Sequence, residues 1–86
     1  VLEVVPASLA EEITQAITIP TIGIGAGNGT DAQVIVWQDL LGLSAGPLPK
    51  FVKPFANLRQ DISFASKAWA EAVVSGQYPD EQHSYL

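Results

Sequence analysis

Cysteine is absent from the sequence, which removes disulfide staples, thiolate metal ligands and a cysteine nucleophile together. A chain that does without them suits a reducing, cytoplasmic compartment. Basic residues are nearly as scarce: four lysines and arginines face nine acids, for a net charge of -5. No basic stripe can neutralise a phosphate backbone, so nucleic acid is not an expected partner. Apolar runs long enough to span a bilayer, ~18 to 20 residues, are missing, and so are the basic start and small-residue cleavage site of a signal peptide. The one histidine, His83, has no second histidine at i+3 or i+4, which leaves it a solvated side chain rather than a metal ligand.

Apolar residues are abundant by contrast. They make up 48% of the 86 residues and charged residues only 15%, too apolar for disorder and too lightly charged for a small domain facing solvent on most sides. Part of the apolar surface is therefore expected to be covered by something else. The chain also opens inside a β-rich run, Val1-Leu2-Glu3-Val4-Val5, with no polar lead or cap before it. Residues 1–86 thus read as the C-terminal part of a single larger domain whose upstream strands are missing.

Pro6 ends the first strand because it has no N–H to give a ladder. Ser8 and Glu11 form the pattern of a capping box, and Leu9, Ile13, Ala16 and Ile17 fall on one helical face. Residues 19–27 then run through an apolar stretch into alternating glycines, predicting a second buried strand. Thr30 and Gln33 predict the cap of a second helix through Val34, Trp37 and Leu41, with Gly42 as its stop, although residues 34–37 are equally compatible with an extended segment. Residues 43–49 read as a linker and 50–56 as a short turn region interrupted by Pro54. The clearest element is last: Leu58, Ile62, Ala65, Trp69, Ala72 and Val73 form a stripe, with Asn57 to cap it and Gly76 to stop it. A polar tail follows. The order is β-α-β-α-α, an α/β pattern of parallel strands with crossover helices, which two strands alone cannot complete as a covered sheet.

Glu3 is the residue most open to a chemical role. Strand alternation surrounds it with apolar neighbours on either face, and it lies three residues before the strand-ending proline. Catalytic side chains of parallel barrels sit at that end of a strand. It reads either as a paired polar residue within a barrel layer or as a general base whose basicity is raised by desolvation. Gly23, Gly25, Gly27 and Gly29 alternate and leave one face bare, for a ligand or for close packing. Their register excludes a dinucleotide fingerprint, and there is no P-loop. Asp31 and Asp39 read as charges at helix ends, not as a cation site. Asn28-Gly29-Thr30 matches a glycosylation acceptor but reads as a glycine-rich turn. Trp37 and Trp69 read as packing residues.

Four strings, LEVVP at 2–6, IPTIGIGAG at 19–27, PKFVK at 49–53 and YPDEQHSY at 78–85, resemble the C-terminal region of the ketopantoate hydroxymethyltransferase family. The resemblance implies the last two strand–helix units of a (β/α)8 TIM barrel plus a terminal helix, from an enzyme that assembles as a homo-oligomer, a decamer. It implies formation of 2-dehydropantoate from 3-methyl-2-oxobutanoate and 5,10-methylenetetrahydrofolate in pantothenate biosynthesis, with Glu3 as proton acceptor. It also implies Mg²⁺, held by residues upstream of this chain, so that no metal ligand falls here. The sequence departs from the family pattern at Asp31-Ala32-Gln33, at Gln38-Asp39 and at Gln82. Two other readings stay open: a structural segment that completes a partner barrel, and a different magnesium-dependent, enolate-forming barrel enzyme.

Overall fold

Short apolar segments separated by turns bring three strands into one parallel sheet in the computed structural model, which describes residues 1–86. The chain divides into two units, Val1–Ala56 and Asn57–Leu86. In the first unit, β1 (Leu2–Glu3), β2 (Ile22–Ile24) and β3 (Ala32–Gln33) are hydrogen-bonded in sequence order. Leu2 pairs with Gly23 and Glu3 with Ile24, while Ile22 pairs with Ala32 and Gly23 with Gln33. A helix, α1 (Ala7–Ala16), links β1 to β2, and one further turn, α2 (Trp37–Leu40), follows β3.

Three expectations change here. The first strand is two residues long rather than five, because Val4 takes a positive φ of 54° and turns the chain out of the sheet once its N–H has bonded to the Ile24 carbonyl. The capping box at Ser8 does not form: Pro6 occupies the cap position, its carbonyl accepts the Ala10 N–H, and Ser8 is already inside the first turn. The buried face of α1 is also rotated from the expected stripe, with Ala10 buried and Ile13 and Thr14 half-buried, while Leu9, Ala16 and Ile17 are exposed.

The largest change lies after β2. Instead of a helix beginning near Thr30, residues 25–31 cross back and set β3 beside β2, with Ala32 and Val34 N–H groups bonded to the Thr21 and Gly23 carbonyls. The sheet thus has three strands, not two, and the helix shrinks to a single turn. The β-branched run Val34-Ile35-Val36 favours an extended backbone, and Gln33 spends its side chain on the crossover, where Nε2 donates to the Gly27 carbonyl and to Thr30 Oγ1. Parallel strands ordinarily need a longer connection. This one closes because Gly25 and Gly27 adopt φ of 65° and 76°, values open to glycine at little cost.

Asp31, expected in the first turn of a helix, instead joins a hydrogen-bond cluster around Thr21, the one buried polar residue. Its Oδ2 accepts from the Thr21 N–H at 2.8 Å and its own N–H donates to Thr21 Oγ1 at 3.1 Å. Thr14 Oγ1 donates to the Ala10 carbonyl at 2.7 Å and lies 2.8 Å from Thr21 Oγ1. Each hydroxyl has one proton. With the Thr14 proton committed to Ala10, the Thr21 proton goes to Thr14, and the longer 3.2 Å approach of Thr21 Oγ1 to Asp31 Oδ2 is secondary. One side chain thereby ties α1, β2 and β3 together.

In the second unit, α3 (Leu58–Val74) forms as expected. Asn57 Oδ1 accepts from the Gln60 N–H, and Asn57 Nδ2 donates to Gln60 Oε1. At the other end Gly76 has φ 78°, the Gln77 N–H bonds to the Ala72 carbonyl and the Gly76 N–H to that of Val73, a Schellman closure. The polar tail contains a 3₁₀ turn at Glu81–His83 capped by Asp80. His83 is correspondingly not free: its Nδ1 lies 2.5 Å from Asp80 Oδ1.

Burial within these residues is slight. Ala10, Ala26 and Thr21 are the buried side chains, and no large one is enclosed. The chain exposes 6905 Å², against roughly 4,900 Å² for one compact globule of this length and roughly 5,900 Å² for two separately compact units. Trp37 and Trp69 remain 58% and 60% exposed, so the packing expected of them is not supplied within the 86 residues.

On its own the 86-residue chain is expected to bind a hydrophobic dye and to melt without a sharp cooperative transition; a steep two-state thermal unfolding curve for the monomer would contradict this. Within the folded protein, Thr21→Val should cost about 1–3 kcal/mol by leaving the Asp31 N–H without its partner. The cost should be non-additive with Thr14→Val in a double-mutant cycle read by denaturant unfolding.

Candidate functional site

Side chains alternate across a strand, and residues paired in register share a face. Leu2, Gly23 and Gln33 therefore form one row, and Glu3 and Ile24 the next. The face of Thr21 and Gly23 is the covered one: both are buried, and Thr21 bonds to Thr14 of α1. The opposite face carries Val1, Glu3, Ile22, Ile24, Ala32 and Val34. All of these are exposed except Ile24, which is half-buried.

Glu3 is thus the only charged residue on an apolar sheet face that nothing in the chain covers. The expectation that it would be kept from water is not met within these residues, because that face has no layer over it here. No hydrogen bond or ion pair engages its carboxylate, since the chain's one ion pair is that of Asp80 and His83. Its lone pairs are free to accept.

Immediately beyond Glu3 the backbone is strained. A positive φ in a β-branched residue is an outlier, and Val4 keeps it at 62% exposure, where side-chain packing offers little compensation. Strain of this kind costs about 1–3 kcal/mol and collects at functional sites. Val4 also lines a cleft of about 620 Å³ with Val5, Pro6, Ala7, Gly25, Gly27, Gln33, Lys50 and Phe51. These residues come from the segments after β1 and β2, the end of β3 and the turn at residues 49–52. The cleft accordingly lies beyond the carboxyl ends of the strands, where ligands bind in parallel sheets. Glu3 is not part of its lining but directly precedes it in the chain.

The structure brings Gly25 and Gly27 to this cleft but does not leave the space of the four glycines open. A Cβ at Gly23 would lie 2.7 Å from Thr30 Oγ1, at Gly25 2.7 Å from Phe51 Cδ1, at Gly27 2.5 Å from Ala7 Cβ and at Gly29 2.9 Å from Glu11 Cβ. The bare face expected from their alternation is filled by the chain itself. Asp39 accepts from Ser44 Oγ at 2.7 Å and Asp31 belongs to the Thr21 cluster, so neither reaches the cleft. No three His, Asp or Glu side chains converge.

Two cleft residues carry polar groups that motif reading passed over. Lys50 is the single charge in the lining. Gln33, whose spacing from Thr30 predicts a helix cap, instead holds the crossover through its Nε2, and its Oε1 accepts no side-chain or backbone bond. The signal for Lys50 was its place after the linker prolines, in a string otherwise notable only for its family likeness.

No helix is long and apolar enough to cross a membrane. Residues 1–81 match the family model described as ketopantoate hydroxymethyltransferase. The chain is 60% identical over 84 residues to a 3-methyl-2-oxobutanoate hydroxymethyltransferase of Streptomyces avermitilis, covering 98% of this chain and 29% of that protein. It is 59% identical over 85 residues to the protein of that name from Thermobifida fusca, covering 99% and 30%, and 58% identical to that of Acidothermus cellulolyticus, covering 99% and 31%. The chain therefore spans less than a third of the length of these relatives. With the family model matching residues 1–81 and these relatives covering 98–99% of the chain, it belongs to the ketopantoate hydroxymethyltransferase family.

Proposed function

We propose that these residues are the C-terminal strand–helix portion of a (β/α)8 barrel enzyme. Its activity is transfer of a one-carbon unit from 5,10-methylenetetrahydrofolate to 3-methyl-2-oxobutanoate, with Glu3 as the base. The observation that carries this reading is Glu3 itself: an unpaired carboxylate, alone on an apolar face that α1 does not cover, at the end of a strand that opens onto a cleft. In a closed barrel the face opposite the helices is the interior. The β1–α1–β2 unit, two parallel strands joined by a helix on the other face, has the local geometry such a barrel repeats, and it supports the reading.

The chemistry follows from the substrate. The C3 hydrogen of the 2-oxo acid lies beside a ketone, so its removal leaves an enolate. Glu3 takes that proton, and the C3 carbanion forms the new carbon–carbon bond to the methylene carbon of the folate. Water supplies the hydroxyl of the hydroxymethyl group, and the folate nitrogen leaves with a proton as tetrahydrofolate. A carboxylate is intrinsically a weak base toward carbon. Enclosure by the remaining strands would desolvate it and bring its basicity closer to the task, and the apolar residues around it, Val1, Ile22, Ile24 and Val34, are suited to that enclosure.

The open sheet face, the exposed strand edge of β1 and the apolar side of α3 give this reading its partners. They are the remaining strands of the barrel and neighbouring copies of the enzyme, for which the decamer is the proposed assembly. The magnesium ion belongs to residues outside this chain, and cytoplasmic residence is part of the same proposal.

Deuterium exchange at C3 of 3-methyl-2-oxobutanoate in heavy water, followed by proton NMR without folate, isolates the step assigned to Glu3. Glu3→Gln keeps the shape and should lower the exchange rate by about 10²–10⁴-fold with assembly intact by gel filtration. Retained exchange together with lowered stability would give Glu3 the structural role instead.

A further inference from the structure

Asn28 and Gly29 sit in the middle of the crossover between β2 and β3, and the proposed reaction makes no use of them. Asn28 is exposed. The side-chain hydrogen bonds of the crossover are those of Gln33 and Thr30, so the Asn28 amide is held by none. The Gly29 N–H donates to no carbonyl. A carboxamide carbon and the backbone nitrogen of the next residue are thus both free, and only a few bonds separate them along the chain. Glycine at the second position adds no Cβ to obstruct their approach and leaves the backbone able to turn toward it.

Packing dictates that glycine. A Cβ at Gly29 would lie 2.9 Å from Glu11 Cβ and 3.4 Å from Glu11 Cα, so α1 leaves no room for the side chain that would shield Asn28. The other asparagine of the chain is placed differently. Asn57 caps α3, with Oδ1 accepting from the Gln60 N–H and Nδ2 donating to Gln60 Oε1 at 2.8 Å. The branched residue Leu58 follows it as the first of the helix. Its amide is engaged at both ends, whereas that of Asn28 is engaged at neither.

We propose that Asn28-Gly29 is a site of spontaneous deamidation whose isoaspartate product unlocks the crossover. The Gly29 nitrogen gives up its proton to hydroxide and attacks Asn28 Cγ. A bond from that nitrogen to Cγ forms, the Cγ–Nδ2 bond breaks, and ammonia leaves with a proton returned by water. A second water opens the cyclic imide at either carbonyl, to aspartate or to isoaspartate, with no change of oxidation state. In isoaspartate the main chain runs through Cβ and is longer by one methylene. Asn28 lies between two fixed points: the Gly27 carbonyl, which accepts from Gln33 Nε2 at 2.8 Å, and Asp31, whose Oδ2 accepts from the Thr21 N–H at 2.8 Å. The longer link strains both anchors, and the new carboxylate adds to a chain already at -5. Loss of either anchor loosens β3, whose Ala32 and Val34 N–H groups bond to the Thr21 and Gly23 carbonyls at 3.0 Å.

Ageing the full-length protein in mildly alkaline buffer, followed by peptide mapping with enzymatic methylation of isoaspartate, reads the chemical step. The mass shift of amide to acid should appear at Asn28 at a rate that grows with hydroxide concentration, while Asn57 keeps its amide. Hydrogen exchange then reads the structural step. Ala32 and Val34 should lose protection in the aged protein relative to the fresh one. Asn28→Ser has no amide to lose and should keep that protection through the same ageing; because Asn28 is exposed and unbonded, this variant should fold. An Asn28 that keeps its amide while a free peptide of residues 25–32 loses it would show that the fold protects the site, and overturns the proposal. Unchanged protection at Ala32 and Val34 in the modified protein overturns it equally, as does the same loss of protection in aged Asn28→Ser.

Discussion

Thr21 and Asp31 hold together what hydrophobic burial does not. With only two alanines buried as core, the first unit depends on a hydroxyl and a carboxylate that connect α1, β2 and the start of β3. Hydrogen bonds of this kind are modest in net worth but costly to leave half-made. The cluster therefore acts less as a source of stability than as a selector of register. Asp31 can reach the Thr21 N–H only when the crossover returns β3 alongside β2, and that register in turn decides which side chains face α1 and which face away.

The functional geometry is a consequence of that choice. Once Thr21 and Gly23 face α1, Glu3 and Ile24 must face away, and the acid is left on a surface otherwise made of Val1, Ile22, Ala32 and Val34. A strand end, a left-handed valine and a folded-back turn then border one cleft. The charge of Glu3 and that of Lys50 belong to different places in this arrangement, one on the sheet face and one in the cleft beyond it.

Much of this was legible in the sequence wherever structure is decided locally. The last helix was readable because Asn57 and Gly76 mark its ends and its stripe is regular, and the caps form as read. The strand containing Glu3 was readable from alternation, though its length was not, since nothing in Val4 announces a positive φ. The second helix failed for a tertiary reason. Thr30 and Gln33 have capping chemistry, but the backbone from Ala32 to Val34 bonds to β2, and the capping groups are used to close the glycine crossover. Desolvation of Glu3 was not legible in the same way, because burial depends on what lies over a face and the pattern records only which face it is. Lys50 escaped notice because a single lysine opening a short turn region has no spacing to read, and only the fold places it in a cleft.

The four alternating glycines make a different kind of demand. Each is sealed by a side chain from elsewhere in the chain: Gly23 by Thr30, Gly25 by Phe51, Gly27 by Ala7 and Gly29 by Glu11. Freedom to vary is then a property of pairs and not of single positions. Enlarging Ala7 presses on the crossover as surely as replacing Gly27 does, and trimming Phe51 opens a void beside Gly25 that no permitted residue at that φ can refill. Drift in this stretch has to proceed by coupled exchanges, so the tightest joint in the molecule is also the one least able to change a residue at a time.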